Sequence, residues 1–142
     1  MNKSDKVAAL YIATLKAMAQ IHQHNHWVYK GYGNHLLFER LYDSTLENLD
    51  LAAEKFIGLF GDSVVSYDLQ VELLNKVLSK YSKLEGSPME MSLAIEKDFI
   101  ALSKSAYECF TQEDRLTLGL DDMIMAIVSQ REESVYLLQR YL

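Results

Sequence analysis

Residues His22 to Glu54 read HQHNHWVYKGYGNHLLFERLYDSTLENLDLAAE and contain all four histidines of the chain. The same stretch carries Glu39, Asp43, Glu47, Asp50 and Glu54. Imidazole together with carboxylate is a ligand set that suits iron, zinc or manganese. At about 100° per residue, His35, Glu39, Asp43, Asp50 and Glu54 fall within roughly a 100° arc of one helix face, and Glu47 lies just beyond it. His35–Glu39 and Asp50–Glu54 are i, i+4 pairs, so each can present two ligands to one ion. The pairs stand about fifteen residues apart, or roughly 22 Å along a helix axis. One chain therefore cannot bring both pairs to one ion. An antiparallel, two-fold related copy can, and symmetry then creates two sites per dimer. His26, just before the turn, can lie beside His35 and add a ligand.

These residues need long helices to position them, and the sequence supplies the pattern. With one proline and six glycines in 142 residues, helices can run uninterrupted. Helix A is expected to start at Ser4 as N-cap, with Asp5 in the first turn. Val7, Leu10, Tyr11, Leu15, Met18, Ile21 and His22 follow the 3.6-residue template, and the pattern runs on to Val28. Gly31 and Gly33 stop it, with Asn34 expected to cap helix B. Helix B is expected over His35 to Leu59, ended by Gly61. A shorter helix follows over Asp68 to Leu84, closed by Gly86. Ser87-Pro88-Met89-Glu90 is the clearest start signal: a capping serine, proline at the first helical position and glutamate completing a capping box. Helix C carries Met91, Ile95, Phe99, Leu102, Ala106 and Phe110. After a polar connection over Thr111 to Gly119, helix D runs from Leu120 to the end. The expectation is one all-α domain over residues 1–142: a four-helix bundle with a short BC helix long enough to cross it, as in ferritin-like bundles.

The whole chain narrows the function classes. A net charge of −6 argues against a generic basic nucleic-acid binder. No run of about 18 apolar residues marks a membrane span, and Met1–Leu10 lacks a signal-peptide pattern. A single cysteine, Cys109, fits a reducing compartment, so a cytoplasmic protein is expected. Cys109 sits among apolar residues and is expected to be a buried small hydrophobe. The in-bundle di-iron site of ferritin-like carboxylate proteins uses Glu-x-x-His motifs on two helices. This chain has none, and helices C and D lack histidine. His22 and His24 are expected to be helix-end caps or surface residues. Extra apolar and aromatic residues, including nine tyrosines, point to an oligomer.

His26-Trp27, Lys30-Gly31, His35-x-x-x-Glu39-x-Leu41-Tyr42, Asp50-x-x-x-Glu54 and Gly61 together resemble the motif of the Dps proteins, the DNA-protection-during-starvation mini-ferritins of the ferritin-like superfamily. The resemblance is strongest over residues 21–61. The helix order extends it over the whole chain. It implies a ferroxidase site at each two-fold interface, with His26, His35 and Glu39 from one subunit and Asp50 and Glu54 from its neighbour. That is the division the helix spacing requires independently. It implies Trp27 as the tryptophan beside the iron centre, a hollow dodecamer built from two-fold dimers, and oxidation of Fe(II) by hydrogen peroxide or oxygen with storage of ferric iron. Asp121 and Asp122 are candidates for an acidic iron pore. Two departures stand out. The stretch between His26 and His35 is about three residues shorter than the family's, and Glu39 stands where aspartate is common. A lysine-rich N-terminal extension is also missing, which points away from direct DNA binding and toward removal of iron and peroxide. The rival expectations are a non-catalytic ferritin-like binding or structural module, and a zinc or manganese site that is only structural.

Overall fold

The computed structural model describes residues 1–141, and among them there are helices and no strands. Helix α1 spans Lys3–Val28, α2 Tyr32–Phe60, α3 Tyr67–Ser82, α4 Pro88–Gln112 and α5 Leu118–Gln139. A single 3-10 turn, Asp62–Val65, stands between α2 and α3. No described helix is long and apolar enough to cross a membrane.

The long helices close a ring in which α1 packs on α2, α2 on α5, α5 on α4 and α4 on α1. Their directions follow from contacts at the two ends. At one end, Asn25 near the close of α1 donates to the Pro88 carbonyl at the start of α4. At the other, Arg115 between α4 and α5 reaches Asn2, Ser4 and Asp5 and lies over the ring of Phe60. Helices α2 and α4 thus both start at the first end and finish at the second. The chain must travel the length of the bundle between them, and the 3-10 turn and α3 make that crossing while packing on α1.

Helix α1 can be surrounded because much of it is small. Ala8, Ala9, Ala13, Ala17 and Ala19 are buried with Tyr11, Ile12, Leu15 and Met18. Small residues let neighbouring backbones approach closely, and the aromatics fill the gaps between them. Tyr11 meets Phe56 and Phe99 edge-on, with ring centroids at 5.5 and 4.6 Å. A second apolar cluster of Leu37, Phe38, Leu41, Met89 and Leu138 lies at the end where α1 turns into α2. Cys109 is buried as expected, and burial pushes its thiol pKa up.

Several helix starts lie earlier than the sequence pattern suggests. Asn2, not Ser4, caps α1, its side chain accepting from the Asp5 amide at 2.9 Å. Ser4 instead sits inside the first turn and is buried. Helix α2 begins at Tyr32 behind Gly31, three residues before His35. Asn34 does not cap it; its amide donates to the Lys30 carbonyl at 2.9 Å. Ser87 caps α4 as read, accepting from the Glu90 amide at 3.1 Å with Pro88 in the first turn. Thr117 caps α5, which begins at Leu118.

Candidate metal centre

The turn between α1 and α2 brings His26 and His35 together, and the geometry of the pair is specific. The rings stack with centroids 4.0 Å apart and planes inclined by 25°. His26 Nδ1 lies 3.0 Å from the His35 carbonyl oxygen, and His35 Nδ1 lies 3.0 Å from the His26 carbonyl oxygen. A carbonyl oxygen can only accept, so each Nδ1 carries the proton. With Nδ1 committed as donor, Nε2 is the nitrogen that can offer a lone pair to a metal. Metal-ligating histidines commonly have their second nitrogen held by a carbonyl or carboxylate in this way, which fixes both tautomer and ring orientation. Here each histidine supplies the other's orienting carbonyl. The turn that allows this is tight and runs through Gly31, whose φ of 98° favours glycine. Tyr29, which follows α1, packs on Phe38 of α2 with ring centroids 5.4 Å apart and ties the two helices together at the turn.

The carboxylates are placed differently. Glu39, Asp50 and Glu54 are all exposed on α2. Among the described residues none of the three has a side-chain hydrogen bond or an ion-pair partner. Tyr32, Leu36 and Leu46 are also exposed and, by helical spacing, lie in the same arc as the acids. Trp27 is 67% exposed and lines a groove of about 370 Å³ between α1 and α2, with His24, Tyr42 and Leu46. Among the described residues no three His, Cys, Asp or Glu side chains of one chain converge on a metal position. The two ligand pairs sit toward opposite ends of one helix, as the axial arithmetic requires. Of the two pore candidates, Asp122 is exposed, whereas Asp121 is partly buried and accepts from the Tyr107 hydroxyl at 3.3 Å.

His24 is exposed as expected, but His22 is neither a cap nor a surface residue. It is fully buried, because its place on the apolar face of α1 points it into the bundle centre. Its Nε2 lies 3.0 Å from Glu96 Oε1, and its Nδ1 lies 3.0 Å from Ser92 Oγ. Glu96 and Arg131 are also fully buried, with Arg131 Nε 3.4 Å from Glu96 Oε2. The other guanidinium nitrogens donate to Thr45, to Ser44 at 2.6 Å and to Ser134 at 2.9 Å. Side chains of all four long helices thus meet at one buried ionic cluster. Neither Glu96, Arg131 nor Ser92 was singled out by sequence reasoning.

Burial is the main force holding the His22 pKa below its ordinary value; Glu96 opposes the shift and Arg131 adds to it. A depressed folded-state pKa has a definite sign in stability. Above the unfolded value of about 6.5 both states are neutral and His22 costs nothing. Below it the unfolded chain takes up a proton that the folded chain resists, so stability falls with falling pH. The limb has a limiting slope of about 1.4 kcal/mol per pH unit and flattens once folded His22 also protonates. His22→Gln is expected to remove that limb. The difference in urea midpoint between about pH 7.5 and about pH 5.5 reads it directly. The same acid loss in both proteins would refute the assignment.

Comparison with known proteins agrees with this architecture. The ring of four long helices and the lengthwise crossing define a ferritin-like all-α bundle of the Dps kind. The X-ray structure of Dps from Thermosynechococcus elongatus superposes with a TM-score of 0.80, covering 98% of this chain and 89% of that one. The two sequences are 18% identical. No family model matches the chain, and no curated protein matches it.

Proposed function

We propose that this protein is a Dps-like mini-ferritin that oxidises Fe(II) at sites shared between two-fold related subunits. In this reading His26, His35 and Glu39 of one chain meet Asp50 and Glu54 of its neighbour. The observation that carries the proposal is the locked imidazole pair at the turn from α1 into α2, with no hydrogen bond to either Nε2 among the described residues, beside a carboxylate pair farther along α2 that has no partner of its own. Two such helices in antiparallel contact complete two sites at once. Leu46 then lies near the two-fold axis, and the exposed Tyr32 and Leu36 pack into the interface, where isolated they would be an unexplained apolar surface.

Iron is the substrate. Neutral imidazole suits the ferrous ion, and the carboxylates favour the more highly charged ferric product. Two ferrous ions each give one electron to hydrogen peroxide, which takes up two protons and leaves as two waters. Oxygen is the alternative oxidant. Trp27, exposed and next to His26 in sequence, would lie at the same interface. The wider reading is a dodecamer of such dimers that stores ferric iron, in the cytoplasm, with zinc or manganese able to occupy the same ligands. It protects through iron and peroxide removal.

Fe(II) oxidation followed by absorbance in the wild type and in Asp50→Ala/Glu54→Ala tests the proposal. The variant is expected to lose the fast oxidation phase, and equal rates would sink it. Native mass with metal analysis separates the rivals. An iron-loaded dodecamer supports a mini-ferritin, and a metal-free dimer supports a binding or structural module.

A further inference from the structure

The buried ionic cluster at the bundle centre calls for a role other than stability. Replacing such clusters with apolar residues of similar size is often neutral or stabilising, because desolvation of the charges offsets their attraction. This cluster is also not ideally paired. Arg131 Nε and Glu96 Oε2 face each other at 3.4 Å, and neither has a hydrogen-bond partner. It does provide a continuous path of polar contacts. Arg131 on α5 grips Ser44 and Thr45 of α2 and pairs with Glu96 of α4. Glu96 holds His22 of α1, and His22 meets Ser92. Ser92 Oγ accepts from Asn25 Nδ2 at 2.7 Å, and the same amide nitrogen donates to the Pro88 carbonyl at 2.8 Å. The path ends one residue before His26, whose carbonyl oxygen is the acceptor that orients His35.

We infer that the Arg131–Glu96–His22–Ser92–Asn25 network positions the His26–His35 imidazole pair for metal binding, by fixing the last turn of α1 against α2 and α4. These are positioning residues: none touches the metal position. The inference rests on the mini-ferritin reading of the histidine pair. Groups hydrogen-bonded directly to metal ligands change metal affinity by about 10–100-fold when removed, and this network, which acts one residue farther out, is expected at the lower end of that range.

The test uses Co(II) as the probe on the assembled protein, reading both affinity and the visible spectrum of the bound ion. In His22→Leu/Glu96→Leu/Arg131→Met no buried charge is left unpaired, so the helical fold and its thermal midpoint are expected to persist. Ser44, Thr45 and Ser134 keep bonds to backbone carbonyls. Co(II) affinity is expected to fall about tenfold or more, with an altered spectrum. A folded variant with unchanged affinity and spectrum overturns the inference. Ser92→Ala, which cuts the path but leaves the ionic trio, provides the same readout if the triple variant does not fold. His26→Ala/His35→Ala is the control that separates the two levels. If it binds Co(II) like the wild type, the histidine reading itself fails; if it loses Co(II) while the network variants do not, only the positioning inference fails.

Discussion

Glu96→Gln is expected to destabilise the folded chain by about 3–5 kcal/mol, because it leaves the Arg131 guanidinium buried without its counter-charge. Proteins of this size are stable by roughly 5–15 kcal/mol, so the loss is a large share of the whole. The thermal midpoint should fall by on the order of 10 °C. The substitution keeps volume but removes the negative charge and turns one acceptor oxygen into a donor, so the guanidinium loses its counter-charge and one acceptor together. Arg131→Met should cost less. It leaves Glu96 with His22 at 3.0 Å, and that pair can take up one proton between them to restore neutrality, whereas a guanidinium cannot shed its own. Thermal melts of the two variants at neutral pH check the order. A larger loss for Arg131→Met would mean that the network is not organised around pairing the guanidinium.

If the proposed site is right, His26→Ala/His35→Ala is expected to slow Fe(II) oxidation by at least about 100-fold, since it would remove ligands where loss of an orienting partner alone costs up to that much. The fold should be nearly unaffected. His35 is exposed and His26 partly so, and the apolar residues that brace the turn, Tyr29 and Phe38, remain. Initial rates of Fe(II) oxidation with peroxide, beside a thermal melt of the same sample, separate the two effects. A variant that oxidises iron normally would remove the histidine pair from the chemistry.

The helices were legible because their apolar residues recur at three and four, and because Ser87-Pro88 and Gly61 are unambiguous punctuation. Starts were less legible. Asn2 and Ser4 are both good caps two residues apart, and local chemistry alone does not choose between them. The separation of the two ligand pairs could be read directly, since the rise of a helix fixes distance along its axis. The mutual lock of His26 and His35 could not, because it depends on the path of a short turn through a positive-φ glycine. The buried cluster left a signal of another kind. His22, Glu96 and Arg131 each occupy an apolar-face position on a different helix: His22 follows Met18 and Ile21, Glu96 precedes Phe99, and Arg131 stands between Ile127 and Leu138. A charged residue at a core position on one helix is ambiguous. A carboxylate and a guanidinium of opposite sign on facing helices, with an imidazole on a third, indicate one another.

The central claim is that the chemistry belongs to two chains and to neither alone. Co-expression of His26→Ala/His35→Ala chains with Asp50→Ala/Glu54→Ala chains, under separate tags, tests it in one oligomer. Each variant alone is inactive in this account. In a mixed two-fold dimer, one site joins the intact histidines of one chain to the intact acids of the other, while the second site is doubly defective. Random pairing from equal amounts should restore oxidation at about a quarter of all sites. Mixed oligomers that stay as inactive as their parents would contradict the shared site.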